Sequence, residues 1–121
     1  MAKKKQTSQQ LFEAIRELAL GYPEATEDHP WGETAIKVNG KVFLFLGISE
    51  IHGGSFSVKL PQSRDIAMDL PFAEPTHYGL GKHGWVTVKF GQGDVPLDLI
   101  KAWVDESYRA IAPKKLVKTL G

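Results

Sequence analysis

The sequence predicts a small two-layer α+β domain: a five-stranded antiparallel sheet with helices on one face, in the order α-β-β-β-α-β-β-α. Three observations carry this. Short segments alternate apolar and polar residues. They come in hairpin-like pairs separated by helical periodicities, rather than in strict strand–helix alternation, which points to antiparallel pairing. The chain has 121 residues, 42% of them apolar, the size and content of one core. Residues 1–121 are read as a single domain with a basic, flexible N-terminus over 1–7.

The first element is a helix from about Ser8 to Leu20. Leu11, Ile15 and Leu18 recur at helical spacing, with Phe12 and Ala14 beside them. Thr7 or Ser8 can cap it, and Gly21 and Pro23 stop it. "ETAIKVNGKVFLFL" follows as a hairpin, because Asn39-Gly40 accepts positive φ at both turn positions. That turn pairs Val38 with Lys41, Ile36 with Phe43 and Thr34 with Phe45. Ile36, Val38, Phe43 and Phe45 then share the core face, and Val42, Leu44 and Leu46 share the other with Ala35 and Lys37. A strand apolar on both sides is either covered or exposed to a partner.

"SFSVKL" points Phe56, Val58 and Leu60 inward, and "PQSRDIAMDLP" reads as a short helix capped by Ser63 and ended by Pro71. "AEPTHYGL" is a strand that Pro75 restricts to an edge or an end. "GLGKHG" is a glycine-rich turn. "WVTVKF" points Val86, Val88 and Phe90 inward, with Trp85, Thr87 and Lys89 outward. Pro96 opens a final helix reaching about Ala112, buried along Ile100, Val104, Ser107 and Ile111. "APKKL" starts a short closing turn.

Composition narrows function. There are no cysteines, which excludes disulfides and thiol chemistry and fits a reducing, cytoplasmic setting. No apolar run is long enough to span a bilayer, so no membrane partner is expected. The net charge of +1 conceals an arrangement. Six lysines lie at the ends, at positions 3–5, 114, 115 and 118. The nine basic and fourteen acidic residues between them leave the body at −5. Such a body is a poor general clamp for phosphate backbones, so any nucleic-acid contact falls to the tails or to a local patch.

Two motifs concentrate chemistry. "EDHPWGE", Glu27 to Glu33, offers His29 among Glu27, Asp28 and Glu33, as an acid–base group or, with His52 or His77, a metal ligand. The spacing matches no metal motif such as HExxH, and the bland account is a rigid entry into the first strand. "HYGLGKHGW" exposes backbone amides beside Lys82, but it is neither a Walker loop nor a dinucleotide fingerprint. "DESYRAIAPKK" places Asp105, Glu106, Tyr108 and Arg109 on the last helix, either as a charged outer face or as a polar wall turned toward "EDHPWGE". The face carrying Lys37, Lys59, Lys89 and Trp85 reads either as a single-strand binder or as an apolar partner surface. No GxSxG elbow or Ser-His-Asp arrangement is present. No catalytic residue, cofactor or metal is expected.

"HPWGE", "YGLGKHGWV" and "ESYRAIAPKKL", within matching stretches from Pro23 to Leu116, resemble the bacterial MmcQ/YjbR family. The resemblance implies an α+β fold similar to CyaY-like and type III secretion-chaperone proteins. It also implies DNA binding through two hairpin wings, with no enzymatic activity attached. On that reading Lys41, Lys82, His83, Lys114 and Lys115 are the nucleic-acid contacts. Two other expectations stand beside it: a module pairing with a protein or with itself through the apolar sheet face, and a ligand pocket near Glu27–Glu33 formed by His29, Trp31, Tyr78, Trp85 and Arg109.

Overall fold

The computed structural model describes residues 8–29, 33–49, 53–76, 80–90 and 95–120. The sheet has the order β1-β2-β3-β4-β6-β5, with every neighbour antiparallel. Its strands are β1 (Thr26–Asp28), β2 (Thr34–Val38), β3 (Lys41–Ser49), β4 (Gly53–Lys59), β5 (Ala73–Pro75) and β6 (Trp85–Lys89). The helices are α1 (Ser8–Leu20), α2 (Arg64–Met68), α3 (Leu97–Ile111) and α4 (Lys114–Lys118), with a 3-10 turn at Leu80–His83.

The sheet therefore has six strands rather than five. The additional one, β1, consists of Thr26, Glu27 and Asp28, a run with little strand propensity of its own. As an edge strand it gains from its charges, which discourage pairing with another chain. Pro75 ends the strand at the opposite edge, as expected.

The Asn39-Gly40 turn forms as expected, with φ of 53° and 76°. Val38 pairs with Lys41, but beyond that point the expected register is wrong. A bulge between Ile36 and Lys37 sets Ile36 opposite Leu44, Ala35 opposite Phe45 and Thr34 opposite Leu46. One extra residue on β3, Phe43, goes to the helix side together with Leu44 and Leu46. Phe45 moves to the helix-free face, where its ring centroid lies 5.6 Å from that of Trp85. The face expected to show Val42, Leu44 and Leu46 to a partner thus loses both leucines to the core.

That core lies between the sheet and α1 and α3, with Ala67 of α2 joining near β5 and β6. Phe43 is its centre: Tyr108 meets it edge-on at 5.1 Å and Tyr22 at 6.2 Å. The buried Ser107 hydroxyl donates to the Phe43 carbonyl at 2.6 Å and accepts from the Lys59 amide at 2.9 Å, stitching α3 to two strands. Ser63 stands at the start of α2 but its side chain does not cap it. Instead Glu106 of α3 accepts from the Gln62 and Ser63 amides, at 2.9 and 3.0 Å, and from the Ser63 hydroxyl at 2.6 Å. On β4, Gly54 leaves a hollow filled by the Phe90 ring; a Cβ there would lie 2.0 Å from a ring carbon.

Candidate functional site

The topology brings three of the predicted nucleic-acid contacts, Lys41, Lys82 and His83, to one end of the sheet. β2 runs into the Asn39-Gly40 turn and β3 runs out of it. Because each neighbour is antiparallel, β4 finishes and β6 begins at that same end, and the β5–β6 connection bearing Leu80–His83 lies there too. The two turns are three inter-strand spacings apart, about 14 Å. The C-terminal half of α3 covers this turn end. Ser107 reaches the last residue of β4, and the Tyr108 hydroxyl donates to the Pro23 carbonyl, just ahead of β1, at 2.7 Å. α4, which carries Lys114 and Lys115, follows directly and packs against α3.

The lysines of this region differ from the sheet lysines Lys37 and Lys89, although Lys101 in the first half of α3 is likewise exposed and without a salt bridge among the described residues. Lys41, Lys82, Lys114 and Lys115 are exposed and form no salt bridge among the described residues. Lys59, at the end of β4 between the two turns, is also without one; the sequence placed it only on the sheet face. By contrast Lys37 pairs with Asp28 at 3.1 Å and Lys89 with Glu74 at 3.3 Å. The Lys37 hydrogen bond, then the His29 amide, holds the Asp28 carboxyl below its usual range.

The three described residues expected to form a ligand pocket, His29, Trp85 and Arg109, are spread over the fold. His29 follows β1 at the far end, where its Nε2 lies 2.6 Å from Glu27. The other oxygen of Glu27 accepts from Arg16 of α1 at 2.6 Å, so this carboxylate, 17% exposed, ties the edge strand to the helix layer. Trp85 lies on the helix-free face and is only 8% exposed. Arg109 is on the helix side at the turn end. Trp31 and Tyr78 lie outside the described residues, as do His52, His77 and residues 1–7. Among the described residues no group of three histidine, aspartate or glutamate side chains is placed to hold a metal.

Sequence reasoning missed what surrounds Arg109. Its Nε donates to Asp105 Oδ2 at 2.7 Å, and the Tyr22 hydroxyl donates to Asp105 Oδ1 at 2.8 Å. Tyr22 is itself held against Tyr108, with ring centroids 4.6 Å apart. Burial, then the hydrogen bond to Asp105 and its negative charge, push the Tyr22 phenol far above its usual value, so it stays a donor. An open surface groove of about 490 Å³ lies here, lined by Glu17, Leu18, Gly21, Tyr22, Asp105, Arg109 and Leu120. The signal available in the sequence was Asp105 and Arg109 one turn apart; nothing marked Tyr22 as their partner.

Fold and site together describe a two-layer α+β domain whose turn end carries Lys41 and Lys82. The YjbR family model matches residues 20–110, and the chain belongs to that family. A crystal structure of a protein from Pseudomonas syringae has the same fold, with a TM-score of 0.66 at 19% identity, over 81% of this chain and 96% of that one. No curated protein matches the chain.

Proposed function

We propose that this is a non-enzymatic DNA-binding domain that sets its turn end against the backbone of duplex DNA. The observation that carries the reading is the segregation of charge. Lys41 and Lys82, on two separate elements, lie at one end of the sheet without a salt bridge among the described residues, and the Lys114-Lys115 pair of α4 has none either, while the sheet lysines Lys37 and Lys89 each meet a carboxylate. Unpaired ammonium groups release the counter-ions of phosphates when they bind, whereas a paired lysine must first leave its carboxylate. The buried Trp85 favours duplex over single strand, because single-strand platforms need aromatic rings open for stacking. The acidic surplus of the body is compatible with this, since the approach is from one end.

The test is fluorescence anisotropy against a mixed-sequence duplex and its single strand over a range of salt. The duplex is expected to bind more tightly. The slope of log K against log salt is expected to be about −3.6 if four lysines each neutralise one phosphate, with Lys82→Glu removing about 0.9 of it. A flat salt response, a preference for the single strand, or a curve unmoved by Lys82→Glu and Lys41→Glu would reject the proposal.

A further inference from the structure

We propose that the groove beside Arg109 binds a small amphoteric molecule of the α-amino acid class, with its carboxylate on Arg109, its ammonium on Glu17 and its apolar body against Leu18 and Leu120. This is independent of the DNA reading.

The argument starts with how Arg109 is held. A guanidinium on a flexible stem loses much entropy when it grips a ligand, unless it is already fixed. Here it is fixed by a relay. Phe43 and Tyr108 pack on Tyr22, Tyr22 donates to one oxygen of Asp105, and the other oxygen accepts Arg109 Nε. Asp105 is thereby engaged on both oxygens, and the terminal Nη groups of Arg109 have no protein partner among the described residues. A forked pair of N–H donors, oriented and left open, is the geometry that accepts a carboxylate in bidentate fashion.

The rest of the groove selects among anions. Glu17 lines the same groove, and it forms no salt bridge with Arg109 or with any other described residue. Opposite charges that share a groove without pairing leave a gap for a ligand carrying both charges. An unpaired carboxylate also disfavours a phosphodiester or any other bare anion. Leu18 from α1 and Leu120, just after α4, supply the apolar wall. The volume of about 490 Å³ is within the range of small-molecule sites.

The experiment is an NMR titration of the full chain with each standard amino acid, following the Gly21, Tyr22 and Arg109 resonances. At least one is expected to give saturable shifts below about 10 mM. Its amide, which lacks the carboxylate, and its N-acetyl derivative, which lacks the ammonium, are each expected to bind at least about tenfold more weakly. Arg109→Gln and Glu17→Gln should do the same, while dispersed spectra show that both variants are folded. No saturable shift with any amino acid overturns the proposal. So does binding that survives N-acetylation, which would mark a plain anion site, or binding indifferent to Arg109→Gln. Duplex DNA is expected to move Lys41 and Lys82 resonances in wild type and Arg109→Gln alike, so the two proposals fail separately.

Discussion

Lys37 and Lys89 stand on the helix-free face, each within about 3.3 Å of a carboxylate on a neighbouring edge strand, Asp28 of β1 and Glu74 of β5. Lys41 and Lys82, on the turns at one end, have no such partner among the described residues. The difference follows from register. A strand residue meets cross-strand neighbours a few ångströms away, so opposite charges placed there find each other. Lys41 opens β3 opposite the apolar Val38, and Lys82 lies in the 3-10 turn, so neither has a carboxylate placed across from it. The total of +1 averages over two populations of lysine with different physical roles.

The largest expected effect separates those populations. Lys41→Glu with Lys82→Glu should lower the salt slope of duplex binding by about 1.8. As surface changes, they should alter stability by no more than about 0.5 kcal/mol. Lys89→Glu should do the reverse, leaving the slope in place while removing a pair worth at most about 1 kcal/mol. Anisotropy and urea unfolding of the same samples read both halves.

Next is Ser107→Ala, which leaves the Phe43 carbonyl and Lys59 amide without their partner beneath the turn end. Urea unfolding should show a loss of about 1–3 kcal/mol. A loss accompanied by weaker DNA binding of the remaining folded protein would mean the turn end depends on α3 for its shape.

A smaller effect comes from Tyr22→Phe, about 1 kcal/mol at neutral pH. Because the folded protein raises the phenol above its ordinary value of 10.0, that stabilisation is complete below about pH 10 and is lost as pH rises from there through the raised value. Unfolding midpoints measured from pH 8 to 11 should decline for this reason in the wild type, and the decline should be shallower in the variant.

The smallest is Asp28→Asn at the paired end of the comparison. The depressed carboxyl contributes above its ordinary value of 3.8 and ceases to contribute as pH falls through the lowered value. The variant should differ from wild type only slightly, with a less steep acid limb in a thermal scan series.

How much of this was readable depended on whether the pattern carried phase information. α1, the Asn39-Gly40 turn and the inward set Phe56, Val58, Val86 and Val88 were legible because apolar and polar residues alternate there. "VFLFL" is apolar in both phases, so nothing in it betrays a bulge, and the register slipped by one residue. β1 was missed because Glu27 and Asp28 look like site chemistry; their strand state comes from pairing with β2, not from propensity. Ser63 was read as a cap from its local position, whereas the carboxylate that accepts from the Gln62 and Ser63 amides ahead of α2 is that of Glu106, remote in sequence. The proposed DNA contacts were named from the resemblance; that Lys41, Lys82 and His83 share an end follows from strand order. The Tyr22–Asp105 contact spans a separation of 83 residues, and no local pattern reports it.

Size compensation at the far end of the sheet is the last consequence. Phe90 occupies the hollow that Gly54 leaves, so residue 54 is confined to glycine by a neighbouring ring rather than by its own backbone angles. Gly54→Ala should therefore be badly tolerated alone and rescued by Phe90→Leu or Phe90→Ala, which makes room for the methyl group. The two positions behave as one volume shared between two strands.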